Sequence, residues 1–298
     1  MPEPPVSVLF VAGVSHCGST LLGSLLGQAD GAFFAGELAH TARALERDLD
    51  CGCGEPLRAC PAWREIFIEA FGPDGTRGGP ELLRLEHRDE RARASVRHAL
   101  RDRGLLPRSE ALESRLEAFV ATLRAIRAVT GSEVVIDSSK SPAYGRLLAS
   151  SADVDMRILH LVRDPRATAW SWRKSSELSL NPAALGVVWD VWNTTIETLW
   201  SRDDQRYLRL RYEDFAHAPR ESIGLVLAFA GLAPDAVQFA SEHAVELAPT
   251  HSTNGNLGRF RSGRVEIVPD RAWESAGSFH GRSAISAVTW PLRRRYGY

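Results

Sequence analysis

The sequence lacks any long hydrophobic run. No stretch approaches the ~20 consecutive apolar residues of a membrane-spanning helix, and residues 1–5 hold neither a basic region nor an apolar leader. We therefore expect a soluble, cytoplasmic protein that does not insert into a membrane.

The sequence also lacks a large net charge. Its formal charge is −1, and basic residues are scattered among acidic ones. This balance excludes the basic face typical of nucleic-acid-binding proteins, so no nucleic-acid partner is expected.

Lysine and cysteine are rare in this chain. Lys140 and Lys174 are its only lysines, and arginine supplies the other basic residues. In a sequence with so few lysines, each one is expected to have a role that arginine cannot fill, because the charge of lysine is compact and its pKa shifts readily on burial. The four cysteines do not suggest a secreted disulfide scaffold at this length.

One glycine-rich motif has the spacing of a P-loop without its lysine. A buried strand predicted over residues 6–11 leads into Gly13-Val14-Ser15-His16-Cys17-Gly18-Ser19-Thr20, and a helix is predicted over residues 19–28. A P-loop lysine would occupy the position of Ser19. Backbone amides and the helix N-terminus can still hold a phosphate, but the loop is poorly equipped for γ-phosphoryl transfer. A Gly/Ser-rich turn is the alternative interpretation.

Alternating strands and helices predict an α/β fold. Apolar runs predict further strands over residues 133–137, 156–162 and 207–212, with helices between them. We therefore expect a P-loop NTPase-like parallel sheet flanked by helices. Residues 1–298 are expected to form a single domain, in which residues 72–130 are a helical insertion over the sheet.

Candidate anion-binding residues follow the predicted strands. Lys140 follows the second strand, Arg163 follows the third with Ser171 eight residues later, and Tyr212 closes the fourth. A glycine-rich, basic segment over residues 254–263 lies near the C-terminus. Ligands of parallel α/β sheets bind beyond the carboxyl ends of the strands, and arginine holds phosphate by paired hydrogen bonds. An anionic ligand is therefore expected at this edge.

Taken in this order, the motifs resemble those of sulfotransferases that use 3′-phosphoadenosine 5′-phosphosulfate (PAPS). The resemblance covers most of residues 6–275, apart from the variable 72–130 stretch. It implies an enzyme that moves a sulfuryl group in line from PAPS to a hydroxyl or amine of a small acceptor and releases 3′,5′-bisphosphoadenosine (PAP). PAPS is then the co-substrate and no metal is required. The 72–130 insertion would shape acceptor access, but fold and donor site do not specify the acceptor.

The resemblance also implies which residues bind the co-substrate. Arg163 and Ser171 would bind the 3′-phosphate, Tyr212 would contact adenine, and Arg259 is a second candidate for the 3′-phosphate. The full implied set is Ser15, His16, Cys17, Gly18, Ser19, Thr20, Arg163, Ser171, Tyr212, Arg259, Arg261 and Gly263.

Glu37, Lys140 and His16 are the candidate catalytic residues. Lys140 is expected to contact the bridging oxygen or the sulfuryl group, with a solvated strand-end lysine as the alternative. His16 stands where most family members carry Lys or Arg, so we hypothesise that it shares this role with Lys140. Glu37 is the candidate general base, with His40 as runner-up and a structural carboxylate as the alternative. In one family branch the base aligns with Leu38.

The cysteine segment leaves several interpretations open. Cys51, Cys53 and Cys60 could bind zinc, with His40 or Cys17 as the fourth ligand. Their spacing matches no common zinc module, so the sequence favours free thiols or a local Cys53–Cys60 disulfide.

Two functions other than sulfuryl transfer are alternative interpretations of the sequence. A P-loop nucleotide kinase is disfavoured by the missing lysine and by the Arg163/Ser171 pair. A non-catalytic nucleotide-binding protein on the same fold is kept open by His16. A homodimer also remains an open expectation.

Overall fold

The computed structural model describes residues 3–75, 79–84, 94–102, 104–175, 181–203, 205–275 and 281–298. The strands are β1 (Val6–Gly13), β2 (Ala32–Gly36), β3 (Val134–Lys140), β4 (Val154–Val162), β5 (Tyr207–Arg211), β6 (Ala244–Leu247) and β7 (Gly263–Glu266). The helices are α1 (Ser19–Leu26), α2 (Thr41–Glu46), α3 (Pro61–Phe71), α4 (Ala94–Asp102), α5 (Glu110–Thr130), α6 (Pro142–Leu148), α7 (Pro165–Ser175), α8 (Pro182–Trp200), α9 (Tyr212–His217), α10 (Pro219–Ala230), α11 (Ala272–Ser275), α12 (Arg282–Val288) and α13 (Trp290–Arg295). No helix in these ranges combines the length and the apolar composition needed to cross a membrane.

The central sheet has five strands in the order β2-β3-β1-β4-β5. Every neighbouring pair is parallel, and β1 lies in the middle between β3 and β4. The predicted parallel α/β fold is confirmed. The first strand after α1 is β2, which lies at one edge of the sheet beside β3.

Helices cover both faces of the sheet. Val8 and Phe10 of β1 belong to a core that includes side chains of α3 and α5 on one face. Leu9 and Val11 belong to a second core with α1 and α10 on the other face. Burying each such side chain contributes about 1.5–3 kcal/mol. The continuous apolar run of β1 is therefore what a strand buried on both faces requires.

The described part of the predicted insertion is helical. α5 begins after Ser109 and ends at Gly131, which has φ 68°. It packs against α3, and its Leu116 and Phe119 belong to the same core as the α3 side chains. Residues 76–78, 85–93 and 103 lie outside the described residues. A role of this segment in acceptor access stays a prediction.

The carboxyl ends of the parallel strands meet at one edge of the sheet. β2 ends just before Glu37, β3 ends at Lys140 and β4 ends just before Arg163. β1 ends at Gly13, where a Cβ would lie only 2.6 Å from the carbonyl oxygen of Leu161. The first glycine of the motif is thus required by the close approach of β4, and the topology brings the predicted residues together.

The antiparallel β6–β7 hairpin was not predicted. Residues 248–262, the closing loop, join its two strands. The Thr253 amide donates to the Ala35 carbonyl (2.9 Å), and the Asn256 amide donates to Thr20 Oγ1 (3.4 Å). The closing loop therefore reaches back across the carboxyl edge of the sheet.

Candidate active site

A cavity of about 470 Å³ lies at this edge, between the β1–α1 loop, the strand ends and the closing loop. The predicted residues that line it are Ser15, His16, Gly18, Ser19, Thr20, Glu37, Lys140, Arg163, Ser171, Tyr212 and Arg261. Its other lining residues are Leu21, Asn254, Gly255, Asn256, Gly258 and Asp270. Its size and its convergent polar groups are those of a small-molecule site.

The β1–α1 loop bends tightly beneath the cavity. Gly18 has φ 99°, and a Cβ there would lie 2.4 Å from Cδ2 of Tyr212, so the tyrosine ring lies directly against the loop. The first amides of α1 have no partner within the helix, as at any helix start, and can hold an anion. The predicted ligand Cys17 is not among the cavity-lining residues. Its amide donates to the Val14 carbonyl (3.1 Å), and burial raises the pKa of its thiol.

Arg163 connects several parts of the site. Its guanidinium donates to the His16 carbonyl (3.0 Å) and to Asp270 (2.8 Å), and it lies 4.5 Å over the ring of Tyr212. Its Nε is buried and has no hydrogen-bond partner among the described residues. Ser171 Oγ lies 2.9 Å from His16 Nδ1. Arg163 and Ser171, which the resemblance pairs as ligands of one phosphate, both contact His16 in this structure.

Glu37 and Lys140 form an ion pair in the cavity. Lys140 Nζ also donates to the Ser138 carbonyl (3.0 Å), and His40 Nε2 lies 3.8 Å from the other Glu37 oxygen. His40 is not among the residues that line the cavity, and Leu38 is fully buried. Among the candidate bases, Glu37 is therefore the one that faces the cavity.

A buried network supports the segment after Glu37. Asp137 accepts hydrogen bonds from the amide and the hydroxyl of Ser139, and the Ser139 hydroxyl accepts from the Ala39 amide (3.0 Å). Burial raises the pKa of the Asp137 carboxyl to about 6. These contacts attach the backbone at Ala39, just after Glu37, to strand β3.

Two cavity residues adopt strained backbone conformations. His16 has φ 68° and Lys140 has φ 65°, in the left-handed region that non-glycine residues rarely occupy. Such strain costs about 1–3 kcal/mol per residue and is concentrated at functional sites. The surrounding structure must therefore hold both residues in place.

Two tryptophans of α8 hold the backbone of Lys140 and of Arg163, which also lines the cavity. Trp192 Nε1 donates to the Lys140 carbonyl (3.3 Å), and Trp189 Nε1 donates to the Arg163 carbonyl (3.0 Å). Trp189 is fully buried and Trp192 is half-buried. Periodicity carries no signal for the hydrogen bonds that orient the two cavity residues.

Arginines of the closing loop divide between two environments. Arg261 lines the cavity. Arg259 is buried and donates to the carbonyls of Gly255 (2.7 Å) and Asp50 (3.2 Å). Gly263, with φ 78°, begins β7 and does not line the cavity. Contact of Cys17, Arg259 or Gly263 with a co-substrate stays a prediction that this geometry does not favour.

The cysteines of residues 51–60 are free thiols. The Cys53 and Cys60 sulfurs are 3.8 Å apart, whereas a disulfide needs about 2.05 Å. The alternative of a local disulfide is therefore wrong for this structure. The imidazole beside these sulfurs is that of His251, not His40, and Cys17 lies elsewhere in the β1–α1 loop.

Comparisons with known proteins bear on the family and the fold of this chain. A family model described as "Sulfotransferase family" matches residues 8–236. The fold is similar to that of the sulfotransferase domain of the Synechococcus PCC 7002 olefin synthase, with 19% identity, a TM-score of 0.58 and coverage of 100% of this chain and 97% of that chain. It is also similar to the sulfotransferase domain from the curacin biosynthetic pathway, with 17% identity, a TM-score of 0.52 and coverage of 98% of each chain. A search of curated proteins found no significant match.

Proposed function

Because the chain belongs to the sulfotransferase family and is a transferase, we propose that its donor is PAPS and that its acceptor is a small molecule with a hydroxyl or amine. The observation that carries this proposal is the pairing of Arg163 and Ser171 around His16, beside a P-loop-like turn without lysine. That arrangement offers two places for phosphate groups rather than one site for a triphosphate.

The donor set fits such a ligand. Ser19, Thr20 and the first amides of α1 are suited to a 5′-phosphosulfate. Arg163 is buried and lies over Tyr212, and within the described part of the chain its Nε has no partner, so it can receive a second phosphate next to a flat ring. A lysine aimed at a γ-phosphate is absent from the position of Ser19. These features favour sulfuryl transfer over the nucleotide kinase alternative.

The charged side chains of the cavity can then take different roles in the transfer reaction. The donor supplies a sulfuryl group, whose bond to phosphate breaks as the acceptor oxygen or nitrogen attacks the sulfur in line. Glu37 takes the proton of the acceptor as general base. Lys140 and His16 donate hydrogen bonds to the charge that develops on the leaving phosphate and the sulfuryl oxygens.

The Glu37–Lys140 ion pair gives this division a physical basis. It holds a proton acceptor and a compact cation next to each other in the cavity. Glu37 is only 13% exposed and Lys140 only 10%, so both act in surroundings with little water. Electrostatic interactions are stronger there than in bulk solvent.

We also propose that residues 1–298 act as one domain in the cytoplasm. One five-stranded sheet, with its cavity at a single edge, supports this organisation. A homodimer stays a prediction, and size-exclusion chromatography with light scattering tests it.

The proposed reaction is tested by mixing the protein with PAPS and a panel of hydroxylated and amine metabolites, and by measuring PAP release. We expect release that depends on an acceptor and that disappears in Glu37→Gln. Turnover of ATP with Mg²⁺, without PAP release for any acceptor, would overturn the proposal.

A further inference from the structure

A second cluster of reactive side chains lies outside the cavity. Cys51, Cys53, Cys60 and His251 each offer one ligand atom, and these four atoms lie within 4.8 Å of one another. Cys51 and Cys60 are fully buried, and Cys53 and His251 are half-buried. The reaction proposed above does not use any of these residues.

The separations in this cluster are those of a tetrahedral metal site. A zinc ion with Zn–S bonds of ~2.3 Å and a Zn–N bond of ~2.0 Å sets S···S edges of about 3.8 Å and S···N edges of about 3.5 Å. The Cys53 and Cys60 sulfurs are 3.8 Å apart. His251 Nδ1 lies 3.3 Å from the Cys60 sulfur and 3.8 Å from the Cys51 sulfur. Thiols packed this closely without a disulfide are well placed to share one ion.

A tight turn at residues 51–55 brings the cysteine sulfurs close together. The Cys51 amide donates to the Glu55 carbonyl (2.8 Å), and the Gly54 amide donates back to the Cys51 carbonyl (2.8 Å). Gly54 has φ 92°, a conformation that glycine adopts without cost. This turn brings two sulfurs to one side, and the third sulfur lies at the start of α3, since Cys60 directly precedes Pro61.

The histidine has its own supporting contacts. Trp63 Nε1 donates to the His251 carbonyl (2.5 Å), and the Phe33 ring stacks on the imidazole at 6.5 Å between centroids. Trp63 thus holds the backbone of His251 and Phe33 packs against its ring, and its Nδ1 lies within 3.8 Å of the Cys51 and Cys60 sulfurs.

We propose that Cys51, Cys53, Cys60 and His251 form a structural zinc site. Three thiolates and one imidazole are a zinc-selecting set, because soft sulfur ligands disfavour Mg²⁺ and Ca²⁺. Four protein ligands close the coordination sphere, so the ion has a structural role and takes no part in sulfuryl transfer.

The site would anchor the closing loop. The Gly52 amide donates to the Ser252 carbonyl (2.9 Å), and Arg259 bridges from the loop to the Asp50 carbonyl. Residues 254–256, which line the cavity, begin three positions after His251. Zinc would therefore join the N-terminal part of the closing loop to the cysteine turn and hold one wall of the cavity in place. This last step rests on the proposed function, whereas zinc binding itself does not.

The test begins with metal content. The wild-type protein is purified under reducing conditions without a histidine tag, and its metals are measured by inductively coupled plasma mass spectrometry. We expect one zinc per chain, and loss of zinc in Cys53→Ser and His251→Asn. Cys17→Ser and His217→Asn are the matched controls, because they change a cysteine and a histidine outside the cluster and should keep zinc.

A spectroscopic measurement keeps the test valid if a cluster variant fails to fold. Wild-type protein freed of metal is titrated with Co²⁺, and we expect the visible absorption of a tetrahedral thiolate site that zinc then displaces. Stoichiometric iron or copper in place of zinc, or neither zinc in the purified protein nor this Co²⁺ spectrum, would overturn the proposal.

The anchoring role has its own readout. We expect PAP to bind severalfold more weakly to zinc-depleted protein, with affinity restored on adding zinc. Unchanged PAP affinity would overturn the anchoring role and leave the zinc site intact. Absence of PAP binding in the zinc-loaded protein would instead count against the proposed donor.

Discussion

The two sides of the cavity are positioned by different means. On one side, Glu37, Lys140 and Arg163 come from the ends of parallel strands, whose ladders fix the backbone at each position. On the other side, Asn254 and Arg261 come from the closing loop, which has no strand partner over residues 248–262 within the described structure. The sheet itself holds the residues of the strand-edge side in place, whereas the closing loop is held by individual contacts outside the sheet.

The charges differ between the two sides as well. Each strand-edge cation faces a carboxylate, since Lys140 pairs with Glu37 and Arg163 pairs with Asp270. Asp270 follows β7 and is 41% exposed, while Arg163 is 7% exposed. The carboxylate that neutralises a buried arginine thus comes from the more exposed segment after the hairpin, and an incoming phosphate must compete with it.

The largest effect is expected on the strand-edge side. Glu37→Gln removes the proposed general base but keeps the side-chain shape, so turnover should fall by roughly 10²–10⁴. PAP should still bind, because Glu37 is not a phosphate ligand. Activity with PAPS and calorimetric titration with PAP check the two halves of this expectation.

His40→Gln is the control for this prediction. His40 lies near Glu37 but does not line the cavity, so its loss should cost far less activity. Full activity of Glu37→Gln together with inactive His40→Gln would show that the base had been assigned to the wrong residue.

The next effect concerns the buried support beneath the strand edge. Burial raises the pKa of Asp137 to about 6 from 3.8, so the folded state keeps this proton up to a higher pH than the unfolded state does. The stability that this group contributes is full below about pH 4 and is lost as the pH rises through about 6. Over that window the wild type should lose about 3 kcal/mol relative to Asp137→Asn.

Urea unfolding of both proteins at pH 4.5 and 7 measures about 2 kcal/mol of this difference, because part of the stabilisation is already lost at pH 4.5. His160, whose pKa burial lowers to about 4, has the opposite pH dependence but is present in both proteins and cancels. A stability difference that stays constant with pH would rule out the buried, proton-holding state of Asp137.

The closing loop offers a matched pair of arginines. Arg261 lines the cavity, and Arg259 donates to two backbone carbonyls outside it. Arg261→Ala should weaken PAP binding by about 1.5–2 kcal/mol, roughly tenfold or more, through loss of a charged hydrogen bond. Arg259→Ala should instead lower the melting temperature, with a smaller effect on PAP.

Calorimetry and thermal melts of the two variants separate these roles. The opposite result, in which Arg259→Ala abolishes PAP binding and leaves stability unchanged, would restore Arg259 as the phosphate ligand that the sequence predicts.

The smallest effect is expected at the carboxylate that competes for Arg163. Asp270→Asn removes a partly exposed ion pair, which contributes about 1 kcal/mol at most. PAP should therefore bind up to about fivefold more tightly. Weaker PAP binding in this variant would mean that Asp270 contacts the ligand directly rather than competing with it.

The strand-edge side could be predicted from sequence because its signals are local. Apolar runs mark β1, β3, β4 and β5, and Lys140 and Arg163 lie at the ends of β3 and β4. The parallel topology then brings them together without further information. The ion pairs of Lys140 and Arg163 could not be predicted, since pairing depends on which loops approach the strand ends.

The closing-loop side could not be predicted in this way. β6 and β7 have four residues each, too few to give a clear alternation. His251 meets Cys60 across 191 residues, and no local pattern connects them. The cysteine spacing alone favoured free thiols or a disulfide, because the fourth ligand comes from a loop whose path only the folded chain defines.

The most direct measurement for the whole account is a calorimetric comparison of PAP with ADP, without Mg²⁺, in the wild type and in Arg163→Ala. The account predicts that the wild type prefers PAP strongly. Loss of a buried arginine–phosphate contact, about 1.5–3 kcal/mol per hydrogen bond, should remove most of this preference and leave ADP binding nearly unchanged. Equal affinity of the wild type for PAP and ADP would contradict a site built for two separate phosphates.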